Sequence, residues 1–344
     1  MEQHPSNLAP PSDRQLARTG GQSPDSKTSV AVFTVAPILI ITIEGEDATA
    51  SYVNVGGQGP WVARAIATLG GAPVICAPFG GDTGRTAQLL LKAAGLTVDA
   101  TVTAAASGMY IERRCDDNRR TCIQEVPAGT LAPRDLDDVY EAAIQHGISA
   151  GTCVITGSPF IDHLDPEVIR RLCSDLHAAG VVTVADLSGV QLDAALHAGV
   201  DWLKVADDEL IRDGRCSEDP AEIMAWLDGL VEAGTVRVAA VASSSTGRTL
   251  ARTPDHRIEA EGPHLEAVDT RGSGDAMCAA LALAHSRNHP PADAIRLAVA
   301  AGAANAARRS TAAPGIDAVL SLTETVRVDV TPISASVDEA TRGA

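Results

Sequence analysis

Val268-Asp269-Thr270-Arg271-Gly272-Ser273-Gly274-Asp275-Ala276-Met277 is a polar, glycine-bearing turn that runs without a break into an apolar, small-residue helix. Two glycines flank one residue and an acid follows at the helix start. The amides of Gly272, Ser273 and Gly274 are thereby lined up at a helix N-terminus, where unpaired N–H donors and the helix dipole both favour negative charge. Asp275 falls in the first turn beside them. A carboxylate there could accept a proton from an attacking hydroxyl while the amides hold the charge of a transferring phosphoryl group. A tight turn with a helix-terminal acid would account for the same residues without any ligand, so the surroundings decide.

Working outward, 274–287 and 292–309 read as two long Ala-rich helices, and 247–260 as a hairpin. Upstream of these the chain alternates: helix 134–146, strand 152–156, helix 165–179, strand 181–186, helix 190–198, strand 201–205, helix 219–233, strand 236–242. Short apolar strands between helices of this length predict an α/β fold, a doubly wound parallel sheet flanked by helices. Nearer the N-terminus, 30–44 reads as a strand with Pro37 at a bulge or edge. Gly56-Gly57-Gln58-Gly59 then opens a helix over 62–69, followed by strand 73–79 and helix 84–94. Residues 100–127 break the rhythm with short, turn-bounded segments. With 41–55 they predict a small antiparallel sheet outside the main layer, a lid. The domain plan is a disordered tail over 1–28, one catalytic domain over 29–325, and a C-terminal strand and tail over 326–344.

Composition narrows the function classes. The 344 residues carry 44 acids against 27 bases, a formal charge of −17, which argues against nucleic acid or an anionic membrane as partner. Mean hydropathy is +0.06 with no apolar run of bilayer length, which predicts no membrane span. Aromatics are only 3%, so the core must be built from Ala, Val, Leu and Ile. Seven cysteines, without CxxC spacing, predict reduced and mostly buried thiols rather than a zinc site or disulfide framework. No basic-then-apolar leader opens the chain, so a cytoplasmic location is the default expectation.

With these elements in place, the segment around Asp275 resembles the C-terminal signature of the ribokinase-like (PfkB) carbohydrate kinases, and the likeness extends from about 30 to 325. Within that family, Gly56-Gly57-Gln58-Gly59-Pro60-Trp61-Val62-Ala63, Gly80-Gly81-Asp82-Thr83-Gly84 and Asp186-Leu187-Ser188-Gly189 are most similar to the branch that phosphorylates sugar phosphates, the 1-phosphofructokinase and tagatose-6-phosphate kinase group. The resemblance implies ATP as phosphoryl donor, Mg2+ as cofactor, and a sugar or sugar phosphate as acceptor. It implies Asp275 as base and Gly272, Ser273 and Gly274 as anion hole. Gly56, Gly57, Gln58 and Trp61 would face the acceptor. Lys204, Ser244, Gly247, Thr270 and Asn305 would face the nucleotide, and Glu209 would reach the metal through water. Gly157-Ser158-Pro159 matches a turn beside the phosphates, and Arg309 lies with Asn305 in the matching Ala-rich helix. Arginines 113, 114, 119 and 120 of the lid could clamp an anionic acceptor, and an exposed lid edge makes a homodimer reasonable.

Five positions depart from the family pattern. Gln58 stands where this branch often has a lysine, Ile40 replaces the aspartate that normally meets sugar hydroxyls, Trp61 replaces an asparagine, Ala206 an asparagine in the metal-phosphate segment, and Ser244 a glycine near the nucleotide phosphates. The last four motivate an alternative, a non-catalytic nucleotide or sugar-phosphate sensor. A third reading takes Gly56 to Gly59 as a dinucleotide fingerprint with Asp82 as ribose ligand, giving an oxidoreductase.

Overall fold

The computed structural model describes residues 27–48, 50–115, 119–157, 164–309 and 312–333. Most of both expected tails, and Ser158 and Pro159 of the expected phosphate turn, lie outside them.

The first half of the chain runs β1 (Ser29–Phe33), β2 (Ile38–Glu44), β3 (Ala50–Gly56), α1 (Gln58–Thr68), β4 (Ala72–Gly80), α2 (Gly81–Ala93), β5 (Thr97–Thr103), β6 (Met109–Arg114), β7 (Arg120–Val126) and α3 (Pro133–Ala150). β8 (Thr152–Thr156), α4 (Pro166–Ala178), β9 (Val182–Asp186), α5 (Gly189–Ala198), β10 (Val200–Ala206), α6 (Asp207–Arg212), α7 (Pro220–Glu232) and β11 (Val236–Ala242) follow. The last third holds β12 (Arg248–Arg252), β13 (His256–Glu261), α8 (Ser273–Ser286), α9 (Pro291–Ala306), α10 (Ile316–Thr323) and β14 (Arg327–Pro332).

The main sheet has the order β14-β13-β12-β11-β10-β9-β8-β1-β4-β5, parallel from β11 to β5 and antiparallel at the other end. Strands buried on both faces read as unbroken apolar runs, and alternate residues serve two cores. Val30, Val32, Ile75, Val154 and Val184 pack with α1, α8 and α9 on one face. Ala31, Phe33, Ile155, Ala185 and Leu203 pack with α3, α4, α5 and α7 on the other. Helix starts follow local chemistry: Asp165 and Asp219 cap α4 and α7 by accepting from Glu167 and Ala221 amides at 2.9 Å, each before a proline that needs no acceptor. With few aromatics available, α8 fills the space beneath the sheet with small side chains and is buried from Asp275 to Ala284.

Chain order runs outward from β1 through β4 and β5 one way and from β8 to β11 the other. The sheet therefore has its topological switch point at β1 and β8, where α/β sheets open a crevice beyond the carboxyl ends of their strands. A second sheet, β3-β2-β6-β7, forms the lid; β2 and β6 pair in parallel, the other neighbours antiparallel.

The structure corrects several boundaries. Residues 30–44 are two strands in two sheets, and the chain crosses from core to lid over Thr34 to Pro37. Both strands are apolar on each face, so periodicity did not mark the break, although Pro37 did. Residues 100–103 belong to β5 at the edge of the main sheet, parallel to β4. An edge strand is half solvated and alternates like a lid strand. The helix expected to reach 309 ends at Ala306. Short α6 and α10 were not anticipated, and β14 joins the main sheet through β13.

Candidate active site

The loop before α8 is held from beneath by the end of α9. The amides of Val268 and Asp269 donate to the Ala306 carbonyl at 2.8 and 3.0 Å. Asn305 donates to the Arg271 carbonyl at 2.9 Å and to Ser273 Oγ at 3.2 Å, and accepts from the Ala312 amide at 2.7 Å. The Asn305 side chain, expected to face the nucleotide, is instead fully buried and spends its polar atoms on this scaffold. Gly272 takes the left-handed conformation that caps α8, with φ of +78°. Of the three amides expected to form an anion hole, that of Ser273 donates to the Thr270 carbonyl at 3.1 Å. Those of Gly272 and Gly274 meet no acceptor among the described residues.

Directly below lies a buried charged cluster. Lys204 Nζ, at the end of β10, stands 3.1 Å from Asp186 at the end of β9, and both side chains are almost wholly buried. Burial alone would push the lysine pKa down, but Asp186, Glu209 and Asp275 outweigh it and raise it above the usual lysine value. Gly274 makes this approach possible, since a Cβ there would come within 2.5 Å of Lys204 Nζ. Asp275 is buried and its Oδ1 has no hydrogen-bond partner among the described residues. Burial first, then the neighbouring Asp186, raises its pKa well above the ordinary aspartate value, while Lys204 opposes them. Glu209, in the first turn of α6, accepts from the Ala206 amide at 3.3 Å, and burial with Asp186 nearby raises its pKa. It is thus a helix cap and a member of the cluster at once.

Two cavities meet at the loop. One of about 440 Å³ is lined by Lys204, Ala206, Ser244, Gly247, Thr270, Ser273 and Gly274, which brings together the residues expected to meet a nucleotide, Asn305 excepted. The other, of about 300 Å³, lies under the lid and is lined by Ile40, Thr42, Tyr52, Asn54, Trp61, two glutamates, 44 and 112, and five arginines: 64, 114, 120, 271 and 309. Of the lid arginines singled out from sequence, 114 and 120 face this cavity. Arg114 pairs with Glu44. Arg64 has no protein partner among the described residues, and burial lowers its pKa. Arg64 and Arg271 were not picked out in the sequence as acceptor-facing; only the fold aims them inward.

The glycine loop serves packing first. A Cβ at Gly57, where φ is +95°, would come within 2.6 Å of the Ala36 carbonyl in the core-to-lid crossing. Gly57→Ala should therefore destabilise the protein by about 1–3 kcal/mol, read as a lowered urea midpoint. The Gln58 Oε1 is buried without a partner among the described residues, whereas Trp61 lines the cavity under the lid. The dinucleotide reading fails here. The loop leaves an antiparallel lid strand rather than opening a parallel βαβ unit, and Asp82 is an exposed residue paired with Arg85.

Comparisons with known proteins bear on the family and the fold. The chain matches the description pfkB family carbohydrate kinase over residues 43–318. It is 30% identical over 315 residues to the ATP-dependent 6-phosphofructokinase isozyme 2 of Mycobacterium tuberculosis, covering 86% of this chain and 89% of that one. It is 26% identical over 261 residues to the isozyme 2 of Escherichia coli, covering 74% and 82%. In structure it resembles Escherichia coli phosphofructokinase-2 in complex with potassium, with TM-score 0.79, 23% identity, and coverage of 87% of this chain and 99% of that one. It also resembles Arabidopsis thaliana ribokinase complexed with ribose and ATP, with TM-score 0.66, 19% identity, and coverage of 87% and 99%. The chain belongs to the pfkB family of carbohydrate kinases and has the ribokinase-like α/β fold with its separate small sheet. It is a phosphotransferase of the sugar or sugar-phosphate kinase kind. All seven cysteines are free, four of them buried, and among the described residues no helix is long and apolar enough to cross a membrane.

Proposed function

We propose that this protein transfers the γ-phosphoryl group of ATP to a hydroxyl of a sugar phosphate held under the lid. The observation that carries this is the meeting of two cavities across residues 270–274: Thr270, Ser273 and Gly274 line one and Arg271 the other, with Asp275 buried beneath. Asp275 takes the proton of the acceptor hydroxyl. The amides of Gly272 and Gly274, with that of Ser273 once Thr270 releases it, hold the charge on the transferring group. Lys204, fixed by Asp186, adds a positive charge at the same point.

No group of three or more His, Cys, Asp or Glu among the described residues forms a metal cage. That suits magnesium, which keeps most of its waters and is held largely by phosphate oxygens. Glu209 would hold it through water, and the ion, when bound, would neutralise phosphate charge. The acceptor cavity carries five arginines against Glu44 and Glu112, a positive balance that fits an anion, whereas Ile40 and Trp61 offer apolar surface where sugar hydroxyls would otherwise find polar partners. The enzyme works in the cytoplasm and pairs with a second copy, which covers Tyr52, Val53, Ile123 and Val126, exposed on the two outer lid strands.

Magnesium-dependent ADP release from ATP, measured across sugars and sugar phosphates with Asp275→Ala alongside, tests the reading. Acceptor-dependent release that vanishes in the variant is expected. A ligand-induced rise in melting temperature without release from any acceptor would replace it with the non-catalytic sensor. In the active enzyme, Arg64→Gln should raise KM for a phosphorylated acceptor by about 10-fold or more, with a smaller change in kcat, as loss of a charge-assisted hydrogen bond predicts.

A further inference from the structure

Glu112 is a glutamate with no exposed surface, on a lid strand. It accepts from Thr42 Oγ1 of β2 at 2.9 Å and from Arg271 Nη1 at 2.7 Å, and it pairs with Arg120 of β7. Arg120 also pairs with Asp269, and Asp269 accepts from the Arg271 amide at 3.2 Å. Two carboxylates and two guanidinium groups thus form a charge-balanced network. One half belongs to three lid strands, the other to the loop that ends in Gly272. Family resemblance alone does not account for it: the lysine-aspartate pair and the amide row would stand without it. Buried charges are kept where each is paired, and removing one leaves its partners uncompensated.

Resting on the phosphoryl-transfer reading above, we propose that Glu112 is a positioning residue for the reaction: acting from the lid through Arg271 and Arg120, it fixes the loop 269–272 and hence the amides that receive the transferring phosphoryl group. The amide row is in this way held in place by the lid sheet, through the contacts Glu112 makes with Thr42, Arg120 and Arg271.

The test compares wild type with Glu112→Gln, which keeps shape and removes charge, and with Arg271→Gln and Arg271→Lys, which leave the Glu112–Arg120 pair intact. Amide hydrogen exchange of segment 268–277 is measured beside steady-state kinetics. In Glu112→Gln and Arg271→Gln the segment should exchange faster, and kcat should fall by about 10- to 100-fold with KM for ATP within about threefold of wild type, as misplacement of a catalytic group predicts. Arg271→Lys should recover part of both losses. If Glu112→Gln does not fold, the two Arg271 variants decide. Unchanged exchange in 268–277 overturns the proposal, as does faster exchange with kcat unchanged. If wild type turns over no acceptor, the phosphoryl-transfer reading fails on its own account, and exchange still decides whether Glu112 tethers the loop.

Discussion

Asp275→Asn is expected to lower turnover by about 10³-fold or more, since a positioned general base contributes about 10²–10⁴ and asparagine cannot take the proton. ATP should bind with little change, because the cavity lined by Ser244, Gly247 and Thr270 is untouched. The fold should not suffer either. A carboxyl whose pKa is raised in the folded state holds its proton to higher pH than in the unfolded chain, so stability is lost as pH climbs from the ordinary aspartate range through the folded value. The asparagine variant escapes that loss and should be at least as stable at neutral pH, which a urea titration at two pH values will read. In wild type the same raised pKa sets the acid side of the activity profile. The base works only once deprotonated, so kcat/KM should rise with pH through a limb placed above the ordinary aspartate value of about 3.9. A limb at or below that value, or turnover kept in the variant, would remove Asp275 as base.

Lys204→Met is expected to destabilise the fold by about 3–5 kcal/mol, because it strands Asp186 in a nearly water-free site. Asp186→Asn combined with Lys204→Met should recover most of that stability, since a buried pair replaced as a pair is often nearly neutral. The double variant should nonetheless stay inactive. The pair would then be shown to serve the reaction rather than the core, because stability returns and catalysis does not. Denaturant midpoints of the two single variants and the double give the coupling directly. Additive losses would mean that Lys204 and Asp186 act independently.

Much of this was legible in the linear chain. Apolar strands and helices of fixed length alternate from α3 to β11, and a parallel sheet buried on both faces writes itself as such runs. The loop 272–275 was legible for a similar reason: its function needs a local backbone shape, and glycine with an adjacent acid encodes that shape within four residues. Lys204 was found only through the family resemblance, at the end of a predicted strand. Its partner Asp186 was quoted only as part of a motif, because a charge pair between neighbouring strands has no sequence spacing that marks it.

The crossing at Thr34 to Pro37 and the membership of β5 were decided by sheet pairing, which one strand's own residues do not specify. The fate of Asn305, at the end of α9, was decided by tertiary packing, since its hydrogen bonds go to the Arg271 carbonyl, the Ser273 hydroxyl and the Ala312 amide. The cavity under the lid is the clearest case. Arg64, Arg120, Arg271 and Glu112 lie on four separate elements and converge only when the lid folds over α1 and α8. Local backbone chemistry reaches three or four residues along the chain, and so the strands, the helices and the glycine turn before α8 could be read from it. The charge balance of a pocket depends on which side chains share one low-dielectric space, and packing alone brings those together.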